Sequence, residues 1–227
     1  MKKMIISCVV FCMSVMATSA QTLVNFGTSF GVPSGTEALN DPIAKGGDGV
    51  ALVGDYRSNV EEGHAAGLSY TKKVAYYKIG GKSVKTEAAV NMVKYPSGVQ
   101  KNFQVIPSKM PVNRSIMVKA ASEGKLQVLY SSKKGAGRLF AGVLRNGKWE
   151  YLGETAWDKG STAGTESNPY EPLALDYTIQ AGDVVMLFAG SAVDVAGVYF
   201  TGTLDKEFKG DDPRNFTSKK KNAKKSK

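Results

Sequence analysis

The sequence predicts an all-β protein, an antiparallel β-sandwich of jelly-roll type. Three observations lead there. From residue 73 onward the chain is a succession of short runs, alternating or wholly apolar, each of strand length. Turn-like separators lie between them, and the chain holds 25 glycines. Helical periodicity is nearly absent: only SNVEEGHAAG at 58–67 could form a turn of helix, and Gly63 and Gly67 weaken it.

In chain order, the expected strands are TLVNF (22–26), VALVG (50–54), KVAYYKI (73–79), EAAVNMVKY (87–95), NFQVI (102–106) and SIMVKA (115–120). KLQVLYS (125–131), RLFAGVL (138–144), KWEYLG (148–153), LALDYTI (173–179), DVVMLFA (183–189) and VAGVYFTG (195–202) follow. Leu126, Val128 and Tyr130 share one face, as do Ile116 and Val118, which is the pattern of a half-buried strand. The run 183–189 is apolar on both faces, as in a central strand. Gly80-Gly81, Pro96-Ser97-Gly98, Glu123-Gly124 and Ala181-Gly182 punctuate the runs, and Asn146-Gly147 predicts a type I′ hairpin. Residues 31–72 are glycine-rich and weakly patterned. They are expected to wrap a single sandwich with one or two strands embedded.

The two ends differ from this body. MKKMIISCVVFCMSVMATSA has the basic start, apolar middle and small-residue exit of a secretory signal, with cleavage expected after Ala20. A lipoprotein signal fits less well, because Cys8 leaves little apolar stretch ahead of it and Met13 follows Cys12. The apolar run is short for a membrane span, and no other stretch approaches one. The expected location is therefore secreted or periplasmic, with association to the cell surface as an extension. Both cysteines leave with the signal, so disulfides, thiolate ligands and cysteine nucleophiles are excluded from the chain 21–227. A chain of this size buries roughly two thirds of its unfolded surface and has no need of them.

The net charge of +10 is concentrated. Two of these charges are Lys2 and Lys3 and six belong to residues 206–227, leaving two for 21–205. Residues 206–227, ending in KKKNAKKSK, read as a disordered basic tail. Such a tail is drawn to polyanions, and without a basic aromatic face or a motif it does not predict specific nucleic-acid binding.

Catalytic and metal patterns are weak. The single histidine, His64, has Glu61 and Glu62 beside it, which falls short of a zinc ligand set. There is no GxSxG, and GGDGVALVGD at 46–55 lacks the spacing of a dinucleotide loop. Asp41 and Asp48 could meet calcium only in a generic way. No cofactor and no metal are expected. Glu150, Glu154, Asp158, Glu166 and Glu171 lie on or beside one long polar loop, but a carboxylate pair for glycoside hydrolysis is defined by a distance that sequence does not give.

That loop, GETAWDKGSTAGTESNPYEPLAL at 153–175, is the candidate site. Loops of such length are uncommon in compact domains and often functional. Trp157, Asp158, Asn168 and Tyr170 are the residue types that bind sugars, the rings by stacking and the polar groups by bonding hydroxyls. The competing reading folds Trp157 back over the open end of the sandwich. Trp149 could share a face with Tyr151, and Arg114 and Arg138 are expected to pair with carboxylates near strand starts.

The pieces VNF, YYKIGG, PVNRSIMVKA, LQVLYSS, GRLFAGVL and AGDVVMLFAGSAVDVAGVYFTGTL span roughly residues 21–204 in order. Together they resemble the β-sandwich modules secreted by Bacteroidetes beside pectate lyases and other polysaccharide-degrading enzymes. Arg114, Arg138 and Tyr199 stand at places similar to those modules' recurring residues, while Val24-Asn25-Phe26 replaces their usual first-strand tryptophan. The resemblance implies a jelly roll and a non-catalytic, carbohydrate-binding-like role with a polysaccharide partner. The alternatives are a structural or adhesion module that binds an envelope or extracellular protein and, behind it, a glycan-active enzyme.

Overall fold

A computed structural model describes residues 20–56, 67–132, 137–154 and 163–216. The expected signal (1–20, apart from Ala20), His64 with its neighbours, and residues 217–227 lie outside the described residues.

The elements run β1 (Thr22–Asn25), a helical turn α1 (Phe26–Ser29), β2 (Thr36–Ala38), β3 (Lys45–Gly47) and β4 (Val50–Val53). Next are β5 (Leu68–Ile79), β6 (Lys82–Met92), β7 (Gln100–Lys101), β8 (Gln104–Val105), β9 (Ser115–Lys119) and β10 (Gly124–Ser132). The chain continues through β11 (Leu139–Arg145), β12 (Lys148–Glu154), β13 (Leu173–Ile179), β14 (Val184–Ala189) and β15 (Val193–Phe200). Among the described residues, sheet A has the order β13-β10-β15-β6-β5-β2 with β1 also on β15, and sheet B the order β12-β11-β14-β9-β4-β3. All strand pairs in both are antiparallel.

Strands β6 and β9 to β15 form the jelly roll. After β6 the chain crosses to sheet B, back to A, makes the β11–β12 hairpin in B, then alternates through β13, β14 and β15. The result is two interlocked four-strand layers, as in a double Greek key. Between the sheets lie the residues read as sharing a face, Ile116 and Val118 and Leu126, Val128 and Tyr130, together with Val185, Leu187 and Val198.

Most turns follow their sequence signals. Asn146 and Gly147 have φ of 50° and 72°, and Gly80 and Gly81 have 56° and 79°, so both tips are of the type whose twist matches an antiparallel pair.

Three local expectations are corrected. Phe26 is not in the first strand: Asn25 accepts from Gly27 N at 3.1 Å and caps the turn that Phe26 begins. NFQVI is not one strand, because Asn102 and Phe103 both have positive φ and form the tip between β7 and β8. Residues 206–216 are packed rather than a free tail: Phe208 is buried against Ala51, Met117 and Met186 on the outer face of sheet B. The body thus reaches beyond the boundary placed at 205.

The outer face of sheet B is apolar and covered. Phe140 and Phe188 alternate with the inward Leu139, Ala141, Leu187 and Ala189, and segment 93–112 lays Tyr95, Val99 and Val105 over them. Arg114, which has a φ of 48°, is tied to this cover as expected of a structural arginine. It pairs with Asp55 at 2.8 Å and donates to Tyr95 O at 2.8 Å, all within the interior. Asn113 donates to Asp55 at 3.3 Å and accepts from Ser97 N at 2.9 Å.

Candidate functional site

Sheet A treats its outer face differently. In its register, Ser69 opposes Asn91, Asn91 opposes Asp194, and Asp194 opposes Ser131. Four polar residues therefore stand in one row across β5, β6, β15 and β10. Their outward direction follows from the alternation, since Leu68 and Tyr70, Val90 and Met92, and Val193 and Val195 all face the core.

Lys73 reaches across this row from β5, within a bulge between Lys72 and Ala75. Its ammonium bonds Ser131 Oγ at 3.2 Å and forms an ion pair with Asp194. Asn91 Nδ2 donates to the other carboxylate oxygen of Asp194 at 2.7 Å. Asp194 is only 2 % exposed, so this pairing is what keeps a carboxylate tolerable on the sheet face. Beyond the bulge, the rest of the β5–β6 hairpin folds over the neighbouring part of the face. Ala75, Tyr77 and Ile79 pack there on Leu129, Ala89 and Ala196. Burial, the largest influence, pushes the Tyr77 phenol well above its usual range. A hydrogen bond with Ser131 opposes that rise, and the charges of Tyr170 and Asp194 add to it.

The hairpin stops short of the polar row and leaves a trough of about 390 Å³. Asn91, Asp194 and Lys73 form its floor, and Thr36, Ser69, Thr71 and Lys72 complete the lining. At the rim, the hydroxyls of Thr36 and Thr71 lie 3.2 Å apart. Lys73 spends two of its three protons on Asp194 and Ser131 and keeps one. With Asn91 Oδ1 and the rim hydroxyls, this gives a set of fixed donors and acceptors facing one hollow, all on strands.

The loop residues singled out from sequence are distributed otherwise. Trp157 and Asp158 lie outside the described residues. Asn168 sits in a tight turn, where its carbonyl accepts from Gly164 N at 2.8 Å and its own N–H donates to Thr165 Oγ1 at 3.1 Å. Tyr170 pairs in parallel beside Tyr77 of β5: its N–H donates to Tyr76 O, and its carbonyl accepts from Lys78 N, both at 2.8 Å. The Tyr170 ring stands 5.5 Å from that of Tyr77 and covers Gly164, where a Cβ would come within 2.3 Å of it. Tyr170 therefore packs the hairpin down, while Asn168 shapes the turn beside it.

Other expected residues are also engaged. Glu150 accepts from Tyr177 at 3.0 Å, Glu171 pairs with Lys78 at 2.9 Å, and Arg138 holds Glu154 through bonds of 2.7 and 2.5 Å. The Arg138 bond keeps the Glu154 carboxyl below the usual range, outweighing a smaller upward push from burial. Trp149 and Tyr151 share the outer face of sheet B. The Trp149 indole donates to Pro107 O at 3.0 Å, and its ring lies on Gly142, where a Cβ would fall 2.1 Å from it.

Sequence reading missed Ser69, Asn91, Asp194 and Lys73. A signal was present in AAVNMV and AVDVAGV, where one polar residue interrupts an apolar strand.

No family model matches the chain, and no curated protein matches it significantly. Among solved structures, it is similar to one concerning glycan recognition in the Ruminococcus flavefaciens cellulosome. Identity is 10% over 83% of this chain and 98% of that one, with a TM-score of 0.33. It is also similar to the Arthrobacter globiformis T6 isomalto-dextranase complexed with panose, at 12% identity over 81% of this chain, with a TM-score of 0.29. This chain spans 32% of that structure's length. Likenesses at this distance do not bear on ligand or activity.

Proposed function

We propose that the protein is an exported, non-catalytic module that binds a hydroxyl-rich glycan in the trough on sheet A. The observation that carries this reading is the row Ser69–Asn91–Asp194–Ser131, held by Lys73 beneath an open hollow. Sugar hydroxyls donate and accept at once. They are met best by groups that present both roles in a fixed array, and mutually bonded side chains on strands supply that with little ordering cost. At the floor the Lys73 charge is matched by Asp194, so a neutral glycan is favoured there over an acidic one, while exposed Lys72 adds one positive charge at the rim.

Binding without turnover fits the same floor. The trough is lined by one carboxylate, already bonded to an ammonium, whereas glycoside hydrolysis needs a pair flanking the scissile bond. Export is supported by the character of residues 1–20.

The test is a screen of residues 21–227 on neutral and acidic glycans, with Asn91→Ala and Trp157→Ala variants beside it. We expect binding to a neutral glycan that falls at least about tenfold in Asn91→Ala, the loss of roughly one to two hydrogen bonds. Binding lost only in Trp157→Ala would move the site to the 155–162 loop. Binding only to acidic glycans, and only with residues 217–227 present, would overturn the proposal.

A further inference from the structure

On the opposite side of the sandwich, the segment covering sheet B carries a feature that packing does not explain. Phe103 is 84% exposed at the tip of the β7–β8 hairpin. Its φ is 61° and that of Asn102 is 51°. A left-handed conformation suits asparagine and glycine but costs a bulky residue, so the fold carries a strained phenylalanine with its ring in solvent. The hairpin beneath is anchored: Val99 is fully buried and Val105 packs with it on Phe140 and Phe188.

The charge of the segment that bears this tip is of one sign. Residues 93–112 contain Lys94, Lys101 and Lys109 and no acidic residue, and all three lysines are exposed. Lys148 is exposed at the neighbouring Asn146-Gly147 turn. Glu154, which faces Tyr95, is neutralised by Arg138. Phe216, the last described residue, lines a hollow of about 370 Å³ together with Ser97, Lys109, Met110 and Trp149. The last described residue thus lies on this same face, and in sequence residues 217–227 hold six lysines and no acid.

We propose that this face docks the protein on an anionic lipid bilayer, with Phe103 entering the headgroup region and Lys94, Lys101, Lys109 and Lys148 meeting the lipid phosphates. An apolar wedge or a basic patch alone gives weak, reversible attachment, whereas the two together give a stable peripheral contact. An exposed ring at a hairpin tip favours a bilayer over a polyanionic chain in solution, which would meet the lysines but has no interior for the phenyl group. Docked this way, the trough on sheet A faces away from the lipid.

Co-sedimentation of residues 21–227 with vesicles tests the proposal. Phosphatidylcholine vesicles are compared with ones in which phosphatidylglycerol is added. The variants are Phe103→Asn, which suits the left-handed turn, and a chain ending at Phe216. Binding is expected only with the anionic vesicles, lowered about tenfold by Phe103→Asn and lowered again by the truncation, with the thermal midpoint of Phe103→Asn not reduced. Failure to bind anionic vesicles would overturn the proposal. So would equal binding by Phe103→Asn, or retention on heparin beads matching the vesicle binding with no dependence on Phe103, since each reduces the face to tail electrostatics.

Discussion

The outer faces of the two sheets are built on opposite plans. Sheet B turns large apolar residues outward, Phe140, Phe188, Met117 and Met186, and two segments close over them: 93–112 and the stretch carrying Phe208. Sheet A, Leu129 apart, turns small and polar residues outward, and its own hairpin covers one part with Tyr77 and stops beside the other. A face that is covered contributes stability in proportion to the apolar area it hides. A face that is left open with a bonded carboxylate at its floor contributes little of that kind, and its residues are better accounted for by what they present. The same β-sandwich thus separates a structural side from a presenting side.

Breaking the covered face has the largest expected effect. Phe188 is fully buried and stacks with Phe140 at 5.5 Å between ring centres. Phe188→Ala should cost about 3–5 kcal/mol in urea or thermal unfolding while leaving the glycan binding proposed for the trough unchanged in any folded fraction. If the variant kept wild-type stability, the cover would not be a core.

On the open face the expected cost is smaller and of another origin. Lys73→Met keeps the length of the side chain but removes the cation from Asp194, which Asn91 alone then holds. About 2 kcal/mol should be lost at neutral pH, and the double variant Lys73→Met with Asp194→Asn should recover most of it, because no buried charge is then left alone. A double variant as unstable as the single one would mean that Lys73 acts by packing and not by charge.

The contrast also explains what could be read from the sequence. The jelly-roll strands were legible because each carries its own alternation or, as in 183–189, a continuous apolar run between turn signals, and the face of Leu126, Val128 and Tyr130 needs no partner to be recognised. The added edge strands were not: Thr36–Ala38 and Lys45–Gly47 are short, polar or glycine-rich, and exist through pairing with β5 and β4. Phe208 was hidden by the charges around it, so that composition spoke for a free tail where one ring decides the packing. The trough was hardest to find. Residues 69, 91, 131 and 194 meet only once the register of four strands is set, and each alone is an ordinary polar residue on a strand. The 153–175 loop stands out instead because its polar and aromatic residues are continuous in sequence. Of its two described candidates, Tyr170 serves as packing and Asn168 as a turn.

The smallest expected effect is one of pH, and it belongs to the edge where the two sheets meet. Asp183, buried at the start of β14, accepts both forks of Arg145 from β11 at 2.9 and 2.6 Å and the N–H of Gln180 at 2.8 Å. Burial pushes its carboxyl upward, but the Arg145 and Gln180 bonds outweigh that, and the net shift is downward. A carboxyl lowered in the folded state binds fewer protons there than when unfolded, so its contribution is whole above the unfolded value of about 3.9 and is lost as pH falls through the lower, folded value. Stability measured by urea unfolding across acid pH should decline over that window. Asp183→Asn, which keeps an oxygen toward Arg145 and Gln180 but does not titrate, should show a shallower decline and a lower plateau at neutral pH. Equal slopes in the two proteins would place the acid sensitivity elsewhere, with Glu154 and its Arg138 partner as the next pair to test.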